Sequence, residues 1–174
     1  MQQAEDSGAA PPLEIGSQAV WSLSSSKPGF GIAQLRDDSI NTYWQSDGLQ
    51  PHYVNIQFLM KTETISLYLD YKQDESYTPS KVAVRAGSTF NDLTQIAVVE
   101  FTEPEGWIDI NVLDKHERPV KAFHFQVVIL TNHQNGRDAH IRQVKVFEPK
   151  SPDKHEHPAT LLPFTSTDYA QILR

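Results

Sequence analysis

Cysteine is absent from this chain of 174 residues. That excludes disulfide scaffolds, thiolate metal sites and cysteine nucleophiles. Long apolar runs are absent as well, and none approaches the roughly 18 residues of a membrane-spanning helix. The first residues, MQQAEDSGAAPP, lack the charged segment and apolar stretch of a secretory leader, so an intracellular soluble protein is expected. Basic charge is scarce. Fifteen Lys and Arg stand against 22 Asp and Glu, for a formal net charge of -7. Neither nucleic acid nor an anionic membrane is then expected as the main partner, since each recruits a basic face. No internal repeat and no sustained helical period occur.

What is present suits a single β domain. Hydrophobic residues make up 39% and aromatics 10% of the chain, enough for a core at this length. Residues 1–12 are polar and aperiodic, an expected mobile N-terminus, and residues 149–174, broken by Pro149, Pro152, Pro158 and Pro163, form an expected tail. Between them, residues 13–148 alternate. Trp21 and Leu23, then Val54, Ile56 and Phe58, then Ile65, Leu67 and Leu69, then Val82, Val84 and Ala86 recur at the period of half-buried strands. Ile96 to Phe101, Trp107 to Val112, Phe123 to Ile129 and Ile141 to Phe147 complete about eight strands separated by turns. The Phe123–Ile129 run is apolar on much of both faces and is expected at the centre of a sheet. Lys72 to Ser80 reads as a loop. The fold expected is an all-β jelly-roll sandwich.

The organising stretch is Leu35 to Phe58, LRDDSINTYWQSDGLQPHYVNIQF. Tyr43-Trp44 is a large aromatic anchor. A polar loop follows, Gln45-Ser46-Asp47-Gly48 and then Gln50-Pro51-His52, before the strand that begins near Val54. This order describes the rim of a sandwich, where such folds bind ligands. Ser46, Asp47 and His52 invite comparison with a catalytic triad, but their crowding into one loop fits turn chemistry better. No metal is expected either: His133 and His140 lack ligand spacing.

A second polar loop, Thr131 to His140, reads TNHQNGRDAH. Asn135-Gly136 alone would make a tight turn. The surrounding Asn132, His133, Gln134, Arg137, Asp138 and His140 exceed what a turn requires, and long loops in small domains tend to recognise something. Arg137 can clasp a carboxylate, and the amides can meet a peptide backbone. The last residues, Ile172-Leu173-Arg174, read as a short linear docking peptide.

The segments EIGSQAVWSLSSSKPGFG, LRDDSINTYWQSDGLQPHYVNIQF, DESYTPSK and NHQNGRDAHIRQVKVF together resemble the DOC domain of the anaphase-promoting complex. More distantly the pattern is similar to discoidin-type, galactose-binding-like jelly rolls. The DOC resemblance implies a non-catalytic subunit of that ubiquitin ligase, without cofactor, in nucleus and cytoplasm. It implies a co-receptor for destruction-box degrons that acts with a β-propeller coactivator and raises processivity. Its degron-facing loops map onto Gln45 to His52 and Asn132 to His140, at one end of the sandwich, with a contribution from Asp74 to Lys81. The degron contacts this implies are Gln45, Ser46, Asp47, His52, Asn132, His133, Gln134, Asn135, Gly136, Arg137, Asp138 and His140. The family's tail ends in Ile-Arg and binds a tetratricopeptide-repeat scaffold subunit; here Leu173 precedes the terminal Arg174. The distant relatives imply an alternative, a carbohydrate-binding module.

Overall fold

Apolar side chains at every second position leave antiparallel pairing as the way to bury them, and two sheets face each other across the result. The computed structural model describes residues 11–150. The strands in chain order are β1 (Val20–Leu23), β2 (Trp44–Gln45), β3 (His52–Thr62), β4 (Thr64–Asp70), β5 (Pro79–Gly87), β6 (Thr94–Glu100), β7 (Glu105–Asn111), β8 (Val120–Asn132), β9 (His140–Ile141) and β10 (Gln143–Phe147). Two short helices intervene, α1 (Ile32–Leu35) and α2 (Tyr71–Asp74). The large sheet runs β1-β3-β8-β5-β6 and the small one β10-β4-β7, while β2 and β9 form a ladder of their own. This is the expected jelly-roll sandwich.

The core lies between the sheets. Phe125, Val127 and Ile129 of β8 face Ile65, Leu67 and Leu69 of β4 across it, joined by Val54 and Ile56, Val82 and Val84, and Val144 and Val146. Each fully buried aliphatic stabilises by roughly 1.5–3 kcal/mol before chain entropy is counted. β8 sits in the middle of the large sheet, as its two apolar faces suggest.

Three details differ from the sequence expectations. Lys72 to Ser80 is not an open loop: α2 is followed by a 3-10 turn, Glu75–Tyr77, with the Asp70 carboxylate capping Gln73 N–H at 3.1 Å. Ile141 to Phe147 is two strands, β9 and β10, broken at Arg142, whose amide leaves the ladder for the Tyr68 carbonyl and whose side chain turns inward to Asp74. Trp44 and Gln45, expected as anchor and loop, pair as β2 with β9.

At the other end of β10, Glu14 bridges to Phe147 and the Glu148 amide donates to Leu13 O at 3.1 Å. Glu14 also pairs with Arg36 at 2.9 Å. The expected mobile N-terminus falls mostly, and the docking peptide Ile172, Leu173 and Arg174 wholly, outside the described residues.

Candidate ligand-binding rim

The β2–β9 ladder brings the two polar loops together. Trp44 pairs with Ile141 and Gln45 with His140. Trp44 is fully buried and its indole N–H donates to Ser25 O at 2.9 Å. A large apolar body with one satisfied polar tip fixes the start of the first loop.

Beyond the ladder, side chains knit the loops to each other. The Ser46 amide donates to Ala139 O at 3.1 Å, the Ala139 amide donates to Ser46 Oγ at 2.8 Å, and that hydroxyl donates to Asp138 Oδ1 at 3.1 Å. Gln50 Nε2 donates to Arg137 O at 2.9 Å and Gly136 O at 3.3 Å. His52 Nε2 lies 2.5 Å from Arg137 O, which makes that nitrogen the protonated one. Asn132 Nδ2 donates to Gly136 O at 3.1 Å and Asp138 O at 3.0 Å. The carbonyls of Gly136, Arg137, Asp138 and Ala139 are therefore all held.

Ser46, Asp47 and His52 do not form a relay. The Ser46 hydroxyl serves Asp138, His52 serves the Arg137 carbonyl, and Asp47 stands at the surface.

Burial divides the sequence candidates into two groups. Ser46, His52, Asn132 and His140 are buried. Asp47, Gln134, Asn135 and Arg137 are exposed, and Gln45, His133, Gly136 and Asp138 are half-buried. Asp47, Gly48, Leu49, Arg137 and Asp138 line one shallow cavity of about 380 Å³, so the two loops share a mouth. Leu49, 87% exposed there, was not singled out from sequence; the available signal was one aliphatic among turn-formers.

His140 anchors the floor. Its ring is sandwiched between Tyr43 at 4.1 Å and Tyr77 at 4.2 Å, nearly parallel to both. Nδ1 reaches Asp74 Oδ1 at 3.1 Å and Nε2 reaches Gln45 Oε1 at 3.1 Å. Asp74 also accepts two bonds from Arg142, at 2.9 and 2.8 Å. Burial pulls the Asp74 carboxyl upward, but the hydrogen bonds and charges of His140 and Arg142 more than reverse this, leaving it below the ordinary carboxylate range. Hydrogen bonding to Asp74 raises Arg142 in turn.

His133 performs a similar task at the flank. Nδ1 faces Thr78 O at 2.9 Å, and Nε2 accepts the Glu103 amide at 3.1 Å, a pattern that the neutral Nδ1–H tautomer satisfies. Gln134 and Asn135 take positive φ, 52° and 56°, whereas Gly136 does not, at -58°. The glycine is needed for another reason. A Cβ at Gly136 would lie 1.8 Å from Ser76 O, so the second loop is pressed against the Glu75–Tyr77 turn.

Comparison with known proteins sets this geometry in a family. The family model described as "Anaphase-promoting complex, subunit 10 (APC10)" matches residues 1–172. The chain belongs to that family. It is 59% identical over 138 residues to the human anaphase-promoting complex subunit 10, covering 78% of this chain and 75% of the relative. The subunit 10 of Schizosaccharomyces pombe is 42% identical over 163 residues, covering 90% and 84%. Among solved structures, the family 32 carbohydrate-binding module of Clostridium perfringens NanJ in complex with galactose superposes with a TM-score of 0.64. It is 16% identical and the match covers 78% of this chain and 98% of that one. That likeness gives the fold, a galactose-binding-like jelly roll.

Proposed function

We propose that the chain is a non-catalytic substrate-recognition subunit of the anaphase-promoting complex, a co-receptor for destruction-box degrons that raises processive ubiquitylation. The subunit 10 relatives support assembly with other subunits of that complex. The observation that carries the degron reading is the shared mouth of the two loops, with Asp47, Leu49 and Arg137 presented side by side. An acid, an aliphatic and a guanidinium in one shallow cavity can meet the charged and apolar side chains of an extended peptide. The exposed residues are the contacts. Ser46, His52, Asn132 and His140, being buried, position them.

A shallow, wet cavity of this kind supports weak affinity by itself. Efficiency comes from bivalency: the degron touches this rim and a β-propeller coactivator together, and effective concentration multiplies the two contacts. The tail residues Ile172, Leu173 and Arg174 dock into a tetratricopeptide-repeat scaffold subunit, and the assembly works in nucleus and cytoplasm.

The test is reconstitution of the complex with a triple variant, Asp47→Ala, Leu49→Ala and Arg137→Ala. Shorter ubiquitin chains on a destruction-box substrate are expected, with the variant folded and incorporated. Unchanged chain length in a folded, incorporated variant would refute the site. Removal of residues 172–174 tests the tail separately, by loss of incorporation at low concentration.

A further inference from the structure

The outward face of the large sheet carries a second concavity, of about 550 Å³, which meets the first rim loop at Pro51 but shares no lining residue with the mouth at Asp47 and Arg137. Four polar side chains stand in register across it: Ser22 opposite Asn55, Asn55 opposite Gln126, and Gln126 opposite Arg85. Asn55 Nδ2 donates to Ser22 Oγ at 3.2 Å, and Gln126 Nε2 donates to Asn55 Oδ1 at 3.0 Å. Arg85 is the last of the row to line the concavity; its partner on β6, Gln95, lies outside it.

Arg85 differs from three of the other arginines among the described residues. Arg36 pairs with Glu14, Arg118 with Asp114 and Arg142 with Asp74. Among the described residues no carboxylate pairs with Arg85, a condition it shares with Arg137 on the rim. Among the described residues Arg85 is also the only charged side chain lining this groove. Apolar walls flank it: Tyr53 on one side, Phe90 and Leu93 on the other, with Phe90 52% exposed. Phe90 rests on His124 at 4.4 Å, and the buried Nδ1 of that histidine has no hydrogen-bond partner among the described residues.

We propose that this groove docks an extended acidic segment of a partner protein, one Asp or Glu side chain meeting Arg85 while a neighbouring apolar side chain lies against Phe90. Charge complementarity commits the occupant. A guanidinium fork matches a carboxylate in two parallel hydrogen bonds. A single cation balances a single negative charge, whereas a phosphoryl group brings nearly two to a chain whose net charge is already -7. From β1 to β5 the groove spans three strand spacings, about 14 Å, the reach of four or five extended residues. The Ser22 hydroxyl and the Asn55 and Gln126 amides then face the segment's main chain. This surface is independent of the degron reading.

The experiment is an NMR titration of the ¹⁵N-labelled chain of 174 residues with the capped peptide acetyl-Ala-Asp-Ala-Phe-Ala-amide at millimolar concentration. Saturable shifts are expected at Arg85, Phe90 and Gln126, with Asp47 and Arg137 unmoved. The same peptide with Asn in place of Asp should bind about tenfold more weakly, as should the peptide to Arg85→Gln. The Asn peptide, used on the unaltered chain, keeps the test valid should that variant fold poorly. Absence of saturable shifts in the groove overturns the proposal. So does equal binding of the Asn peptide, an equal response to acetate alone, or a clear preference for a phosphoserine peptide.

Discussion

Asp74 and Arg142 stand 68 residues apart in sequence and share two charge-assisted hydrogen bonds with both side chains buried. The pair ties α2 to the break between β9 and β10, and it supports His140 beneath the rim. An uncompensated charge here would have no water to turn to.

Asp74→Asn keeps the shape and removes the charge. Loss of roughly 3–5 kcal/mol is expected, the usual consequence of leaving one member of a buried pair alone, read as a lower urea midpoint. The pair also shapes acid stability. Because the folded carboxyl is held below its ordinary value, its contribution is complete above the unfolded pKa of about 3.9 and declines as pH falls from there through the lower folded value. Stability measured against pH should therefore lose part of its acid limb in Asp74→Asn.

Gly136→Ala places a methyl group against the Ser76 carbonyl, 1.8 Å from its oxygen before relaxation. Backbone must move, because no flexible side chain is there to give way. Destabilisation of about 1–3 kcal/mol is expected from the overpacking, checked by thermal unfolding, with amide shifts spreading over Glu75–Tyr77 and His133–Asn135.

Asp114 makes a compact turn with Arg118. The side-chain hydrogen bond from Arg118, with backbone donors from Arg118 and His116, lowers its carboxyl to about 2. Its midpoint in a carboxyl-detected NMR titration should fall near about 2. In Arg118→Gln it should climb toward the ordinary carboxylate range, since the main stabiliser of the charged form is gone. The stabilisation this turn lends is present above the unfolded value and fades as pH drops through the folded one.

Contact and positioning residues on the rim should separate by experiment. Arg137→Ala and Asp47→Ala remove exposed groups and should alter stability by less than about 0.5 kcal/mol. Ser46→Ala leaves the buried Ala139 amide without its acceptor and should destabilise by about 1–3 kcal/mol. Chemical denaturation of the three variants, beside their ubiquitin chain lengths on one destruction-box substrate, distinguishes the groups: all three shorten chains, and only Ser46→Ala softens the domain.

Much of the sandwich could be read from alternation alone. Val54, Ile56 and Phe58, or Phe125, Val127 and Ile129, announce their buried face because a strand has a period of two and one side must avoid water. The two polar loops could be read because ten residues rich in Asn, His and Arg exceed the needs of a turn. Other features left no local trace. Two-residue strands such as β2 and β9 are too short to show a period. Asp74 looked like one more loop acid, since nothing near it in sequence reveals that Arg142 and His140 come to meet it. Gly136 looked like a hairpin glycine, and its actual constraint is a neighbouring carbonyl. Long-range pairing decides these cases.

The adjacency of Leu13 and Glu148 has a mechanical consequence. β10 carries the chain some 20 Å from the β9 pairing to that junction, by the rise of about six extended residues. Leu13 and Glu148 are thus joined about one strand's length from the β2–β9 ladder that carries the rim, and a load on that junction is borne by the β10–β4 pairing.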